Sequence, residues 1–317
     1  MIEIILHSDD LGITQQSTKH ILAAWRSGHL DGFSIIANGD AVDEIPPVLA
    51  REAERSVRIA VHFNLTEGRS SAPPSEVPLL VDASGELRHT FGSLMLVSLF
   101  ASPAKRIEFA RQIAAECTAQ IIAVRSLCSS RVITAIDGHN HIHMIPGVFT
   151  TVAQAACAAG IPEIRISAEP FYIEKSWRDW LRPFWLINLI KHILLRLLSV
   201  NARRVARQAG LNSPDAIIGV LYSGRMSEAR ALRGIEAADG ATRVEIVFHV
   251  GRAHNSEAKR WRHAAYSTFH LSSRRDTERI EIGCLAKKIR IPVTSLSMDR
   301  PIPDQLNDRE TRNRNRL

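Results

Sequence analysis

Residues whose types and spacing could do chemistry cluster most densely in Asp137-Gly138-His139-Asn140-His141-Ile142-His143. An apolar run from Val132 to Ile136 leads into this stretch and reads as a buried strand. Side chains of an extended chain alternate between faces. If the strand continues, Asp137, His139, His141 and His143 share one face at its carboxyl end. Neutral imidazole is a favoured ligand of zinc and similar metals, so three imidazoles on alternate positions point to a metal site. At this spacing they cannot all reach one ion, and some must lie behind the ligands or face a substrate.

Two further strand ends supply candidate ligands. Asp9-Asp10 follows the apolar Ile2 to Leu6, and His62 lies in the run Val57 to Leu65. One carboxylate with His62 and His139 makes an open metal set that leaves room for water and substrate. Adjacent aspartates on an extended chain point in different directions, so one can bind an ion while the other stays free as a base. An ion in such a site makes water far more acidic, and a nearby carboxylate can take the proton.

The elements that must position these residues alternate between strand and helix. Strands are expected at 2–6, 32–37, 57–65, 132–136, 163–167, 216–221 and 244–250, with 7–12 a strand-to-loop transition. Helices are expected at 15–27 (capped by Thr14), 41–55, 103–128, 148–160 and 227–233. Residues 68–87 read as a long polar loop. This order argues for an α/β fold with a parallel sheet and helical crossovers. Polar residues recur just past strand ends, where active sites lie in barrel-like α/β folds. We expect one domain over residues 1–298, a basic amphipathic insertion at 171–211, and a disordered polar tail at 299–317.

With 317 residues, 45% of them hydrophobic, the chain can bury a sizeable core. Cys117, Cys128, Cys157 and Cys284 form no CxxC pair and read as reduced thiols of a cytoplasmic protein. The first residues show no basic segment followed by a long apolar one, so no secretory signal is expected. The formal net charge of +7 is concentrated between Glu174 and Gln208, where eight Lys or Arg face two acids. No nucleic-acid motif accompanies this patch. An anionic membrane surface or a phosphorylated substrate is the expected partner, and nucleic acid is not.

The chain resembles the YdjC-like carbohydrate deacetylase family, which includes chitooligosaccharide deacetylases and relatives acting on lipid-linked amino sugars. The resemblance rests on His7 to Gly12, Ser34 to Asp40, Val61 to Gly68, Asp137 to Pro146, Ile164 to Ile166 and Phe248 to Gly251. It covers most of the chain up to about residue 255, and the combination is more specific than any one piece. It implies a distorted β/α barrel and one divalent ion, magnesium or zinc, held by Asp10, His62 and His139. By analogy it makes Asp9 the general base, Arg165 the residue that orients it, and His249 the acid for the leaving amine. Asn38, Asn64, His141 and His143 are assigned to substrate contact. Three positions depart from the usual pattern: Ser8 replaces Ala, Gly138 replaces Ser, and Val250 replaces the frequent Pro.

The insertion carries Trp177, Trp180 and Trp185, then an apolar helical face at 186, 189, 190, 193, 194 and 197, interrupted by Lys191, His192 and Arg196. Tryptophans and cations beside an apolar face suit a helix lying in a membrane interface. Packing on the barrel, or on a second subunit in a homodimer, would cover the same face. The expected substrate is an N-acetylated sugar, on a polyprenyl or other lipid carrier if the membrane reading holds, with the enzyme peripheral on the cytoplasmic membrane face. A metal-dependent phosphoesterase and a non-catalytic membrane-associated module are the competing functions.

Overall fold

The structure, a computed structural model, describes residues 2–128, 131–174, 183–261 and 263–290, without the side chains of 183, 184 and 258–260. Its apolar runs become seven strands: β1 (Glu3–Leu11), β2 (Gly32–Ile35), β3 (Arg58–Phe63), β4 (Ile133–Gly138), β5 (Glu163–Ile164), β6 (Ala216–Ile218) and β7 (Arg243–Phe248). They pair in the order β5-β4-β3-β2-β1-β7-β6, and every pairing is parallel. The strands are buried along nearly their whole length, as a parallel sheet covered on both faces requires. The two sheet edges approach each other. Ile164 N donates to Asn212 O at 2.9 Å and Ile217 N to Ala168 O at 3.2 Å. The result is a distorted β/α barrel, as the resemblance implied.

Helices link the strands. α1 (Gln15–Arg26) follows β1, and α2 (Ile45–Arg51) follows β2 after a 3-10 turn. α3 (Phe91–Phe100) and α4 (Pro103–Cys128) lie between β3 and β4, and α5 (Pro146–Ala158) follows β4. α6 (Pro183–Gln208) follows β5, α7 (Glu228–Ala237) precedes β7, and α8 (Ala264–His270) and α9 (Arg274–Arg290) close the described chain. The Thr14 hydroxyl accepts from Ser17 N, the cap expected for α1. Two helices were not expected. α3 is apolar almost throughout and lacks amphipathic spacing, but Thr90 and Ser93 form a reciprocal cap at its start. α9 falls within the stretch read only as mixed short helices, and is longer than that reading. The expected tail at 299–317 lies outside the described residues, as do Trp177 and Trp180.

Two local departures shape the site. β1 runs on through Asp9 and Asp10 rather than ending at Leu6, and its register against β2 shifts between Ser8 and Leu11. Asp10 takes a left-handed backbone, with φ of 69°, uncommon for a residue with a Cβ and frequent at functional sites. This bulge lets both consecutive aspartates reach the site.

The second departure corrects the expected extended stretch of histidines. β4 ends at Gly138, and His139–Met144 form a 3-10 turn in which Asn140 and His141 have φ of 53° and 56°. The neighbours run out here. β3 pairs with β4 only to Gly138, and β5 pairs only to Ile136. With no ladder to hold it extended, the chain turns, and its three imidazoles diverge.

Candidate active site

The carboxyl ends of β1, β3, β4 and β7, with the chain after β5, gather the charged groups. His62 Nε2 lies 3.5 Å from Asp10 Oδ1, and His139 Nδ1 lies 3.1 Å from the same oxygen. The two ring nitrogens are 3.3 Å apart. Each ring is held from behind by a carboxylate. His62 Nδ1 donates to Asp137 Oδ1 at 2.6 Å, and His139 Nε2 donates to Glu67. These bonds occupy the rear nitrogens and leave His62 Nε2 and His139 Nδ1 facing Asp10, each able to offer a lone pair once a cation displaces its proton.

This donor set fits a divalent cation. Ligands about 2.0–2.2 Å from one ion stand roughly 3–3.5 Å from each other, and the three donor atoms here are spaced in that range. Charge supports the fit. Asp9, Asp10, Glu67, Asp137 and Glu245 are buried together, facing the guanidiniums of Arg165 and Arg275. The surplus negative charge acts on the imidazoles. Against the cost of burial, Asp137, Asp9 and Asp10 raise His62 to about 10, and Glu67 and Asp10 raise His139 to about 9. A pocket that pulls protons this strongly also favours a metal cation.

Asp9 is held apart from that cluster. Arg165 Nη1 donates to its two oxygens at 2.9 and 3.0 Å, and forms an ion pair with Asp137 Oδ2 at 2.8 Å. The other side of the guanidinium is fixed by Glu245, with Nη2 donating at 2.5 Å and Nε at 3.1 Å. Ser34 Oγ donates to Asp137 Oδ2 at 2.5 Å, and His7 Nε2 lies 2.7 Å behind it. Burial pushes the Asp9 carboxyl up to about 6, against the pull of Arg165 and His62. The group is therefore a stronger base than an exposed aspartate and is still ionised at neutral pH. His7, Asp9 and Asp137 also come together, but Arg165 already pairs with both carboxylates of that trio.

Asp10 differs from its neighbour. Burial works to raise it, but hydrogen bonds from His139 and His62, with the charge of Arg275, hold it well below the usual carboxylate range. Arg275, from α9, donates to Asp10 Oδ2 at 3.0 Å and to Gly251 O at 2.9 Å.

A cavity of about 510 Å³ opens over this floor. Asp9, Asp10, His62, His139, His141 and His249 line it on the barrel side. Ile187, Ile190, Lys191 and Leu194 of α6 line the opposite side, with Tyr266, Phe269 and His270 of α8 at a third. α6 thus forms one wall of the cavity. His141 reaches it with Nδ1 2.9 Å from Ser167 Oγ. His249 reaches it with its backbone N donating to Glu278 at 2.5 Å and its ring edge-on to Phe269. Burial lowers His249 to about 3, with Arg275 and Lys191 adding to the effect, so the ring is neutral at rest.

The other residues assigned to substrate contact lie outside this lining. His143 is fully buried, and its Nε2 donates to Arg165 O at 3.0 Å. A Cβ at Gly138 would stand 2.5 Å from His143 Nδ1, so glycine is required there by the imidazole beside it. Asn64 Nδ2 donates to Asn38 Oδ1 at 3.0 Å and to Glu67 O at 2.7 Å, and Asn38 Nδ2 donates to Arg69 O at 2.8 Å. The two asparagines brace the loop that presents Glu67. The remaining two departures answer each other. Ser8 Oγ accepts from Val250 N at 3.4 Å. A proline would have no N–H to satisfy, and an alanine no oxygen to offer.

α6 docks through Trp185, His192, Leu195, Ser199, Ala202 and Ala206, all buried. Leu186, Ile187, Ile190, Ile193, Leu197 and Val200 are each at least half exposed and form an outward apolar stripe. Trp185 belongs to the docked face, Lys191 lines the cavity, and Arg196 donates to Glu169 O at 3.0 Å. Trp185–Gln208 is long and apolar enough to cross a membrane by length and composition alone.

The sequence reading assigned no role to Ser34, Glu67, Glu245, Tyr266, His270, Arg275 or Glu278. Glu245 left a signal, as a single charge inside the apolar run Val244 to Val250. The residues of α8 and α9 lie beyond the recognisable motifs, and their spacing gives no sign of what they face.

A parallel barrel that gathers acids, imidazoles and arginines at the carboxyl ends of its strands is an enzyme fold with a candidate metal centre. This chain belongs to the YdjC-like protein family, whose family model matches residues 3–280. A mouse (Mus musculus) protein named carbohydrate deacetylase is 27% identical over 268 residues, covering 79% of this chain and 78% of that protein. A human (Homo sapiens) protein of the same name is 25% identical over 241 residues, covering 74% and 68%. Among solved structures, a protein provisionally assigned to cellobiose-phosphate cleavage, from Enterococcus faecalis V583, superposes with a TM-score of 0.59 at 17% identity. It covers 91% of this chain and 98% of its own, which is a likeness of fold.

Proposed function

We propose that this chain is a carbohydrate deacetylase that hydrolyses the N-acetyl group of an amino sugar, using one divalent cation at Asp10, His62 and His139. The observation that carries the reading is the division of labour between adjacent aspartates. Asp10 faces one nitrogen of each of two imidazoles, and Arg165 holds Asp9 separately beside the same cavity. The names of the mouse and human relatives support the substrate class and reaction.

When bound, the cation, magnesium or zinc, supplies Lewis acidity to a water and to the acyl oxygen. Asp9 accepts the water's proton on a carboxylate oxygen. Arg165 keeps that carboxylate in place, and Glu245 fixes the guanidinium. The C–O bond forms, the amide C–N bond breaks, and His249 returns a proton to the departing nitrogen. Since burial keeps that ring neutral at rest, it takes this proton from solvent as negative charge develops on the substrate beside it, and Asp9 returns the water's proton to solvent as acetate leaves. Products are acetate and the free amine.

We place the substrate's sugar on a polyprenyl or other lipid carrier, and the enzyme on the cytoplasmic membrane face. The outward stripe of α6 supports this, because Ile187 and Ile190 belong both to the stripe and to the cavity lining. An apolar carrier could follow that surface from the bilayer to the site. The same stripe would also suit a homodimer contact.

The test is acetate release from free, oligomeric and lipid-linked N-acetyl sugars, before and after chelation, with flotation of the protein on anionic liposomes. Release that chelation abolishes and a divalent ion restores is expected. Phosphate release with no acetate would replace the reading with the phosphoesterase. Failure to bind liposomes, together with dimers in solution, would remove the membrane part alone.

A further inference from the structure

A second cavity, of about 380 Å³, lies apart from the catalytic one, between α3, α4, α5 and α6. Its lining is mostly apolar: Leu94 and Val97 of α3, Phe109 and Ile113 of α4, Val148 of α5 and Val205 of α6. Two cations complete it, Arg106 of α4 and Arg204 of α6, both exposed. Arg204 Nη2 donates to Asn201 Oδ1 at 3.1 Å. Among the described residues neither guanidinium meets a carboxylate. The volume falls in the range of small-molecule sites, about 300–1,000 Å³. An apolar lining with a pair of cations suits a molecule with an apolar body and one anionic end.

The surface around this cavity has the same character. Leu197, Asn201, Arg204 and Val205 share one helical face, so the outward stripe of α6 runs into the cavity wall. α3 exposes Leu96, Leu99 and Phe100, and α4 exposes Ile107 beside Arg106. An apolar surface of this extent marks a contact with a partner or a membrane. Charge decides between them. Between Pro183 and Gln208, α6 carries five Lys or Arg and no acid. α3 is uncharged, the start of α4 adds Lys105 and Arg106, and Glu108 is engaged by Arg111. Two copies meeting on this face about a two-fold axis would set the same cations against each other. An anionic bilayer offers an apolar interior to the stripe and a counter-charge to the arginines.

We propose that the cavity between α3, α4, α5 and α6 binds an anionic phospholipid. Part of an acyl chain lies against the apolar lining, and the lipid phosphate meets Arg106 and Arg204. The site takes no part in the reaction. The inference rests on the membrane part of the proposed function, which it deepens by naming a lipid contact, and it is independent of the deacetylase chemistry.

Calorimetry with dihexanoyl phosphatidylglycerol, below its micelle concentration, reads the site on the full chain without a bilayer. Saturable binding of one lipid per chain is expected, with weaker binding of dihexanoyl phosphatidylcholine and of glycerol 3-phosphate. Arg106→Gln combined with Arg204→Gln should weaken the lipid about 10- to 100-fold, as loss of charge-assisted bonds predicts. Arg207→Gln, which removes a cation of α6 outside the lining, should leave binding where it was. An equal loss in Arg207→Gln would mean diffuse attraction and overturn the site. Glycerol 3-phosphate binding as tightly as the lipid would overturn it in favour of a free phosphate. Wild type that ignores the lipid and forms dimers in sedimentation would overturn it in favour of a second copy. Flotation of the full chain on anionic liposomes, unchanged in the double variant and with no binding of the short-chain lipid, would keep the membrane placement and reject the site.

Discussion

Asp10 accepts a hydrogen bond from Arg275 at 3.0 Å across 265 residues of chain, with both side chains out of contact with solvent. The pairing turns Asp10 Oδ2 toward the arginine and leaves Oδ1 to the imidazoles. Arg275 also spans Gly251 O and His270 Nδ1, tying α9 to the loop after β7 and to α8. Removing one partner of a buried pair strands the other charge, at a cost of about 3–5 kcal/mol. Arg275→Met should therefore lower the unfolding free energy by that amount, read from the denaturant midpoint at constant slope. A loss under about 1 kcal/mol would mean that water replaces the arginine.

The two aspartates should separate cleanly. Asp9→Asn is expected to keep the cation and lose turnover by about 10²–10⁴, since an amide cannot accept the water's proton. Asp10→Asn is expected to lose the cation itself. Elemental analysis beside acetate release distinguishes the two, and the opposite pattern would exchange the roles.

His62→Ala and His139→Ala should each lose the cation while the fold, read by circular dichroism, survives. Asp137→Asn tests the support behind them. It removes the carboxylate that accepts from His62 Nδ1 at 2.6 Å, and cation affinity should fall about 10- to 100-fold. Unchanged affinity in competition with a chelator would show that the ring needs no such anchor.

Glu278 connects stability to pH. It is fully buried and accepts from His249 N at 2.5 Å and Met226 N at 2.8 Å. Burial raises its carboxyl to about 8, above the value of 4.5 that an unperturbed glutamate carries. The folded state thus holds this proton more tightly than the unfolded chain. The resulting stability is complete below the unfolded pKa and is lost as pH rises through about 8. Glu278→Gln should remove that loss, so the variant gains on wild type between pH 5 and pH 9 in thermal unfolding. Parallel pH profiles would place the ionisation elsewhere.

Much of the barrel was legible because parallel strands buried on both faces must be continuous apolar runs. The seven expected strands all formed, and Thr14 capped α1. Asp10, His62 and His139 could be singled out because each follows such a run. The ends of the runs were less legible. Nothing local in Asp137 to His143 says that both neighbouring strands stop pairing, and that loss of partners turns the chain. The amphipathic pattern of α6 was visible, but a pattern cannot say which neighbour meets which face. Folding put Trp185 inward, Lys191 over the site and the 186–200 stripe outward.

By itself, the sequence determined what short-range chemistry determines: which segments extend, which coil, and where a carboxylate or imidazole stands at the end of a strand. The tertiary structure alone decided the partners. Arg165 for Asp9, Arg275 for Asp10, Asp137 behind His62 and Glu67 behind His139 are separated by 156, 265, 75 and 72 residues. No local periodicity encodes a meeting across such distances. It arises because barrel closure brings the carboxyl ends of the strands to one small, water-poor volume, where each charge must find an opposite charge or a hydrogen bond.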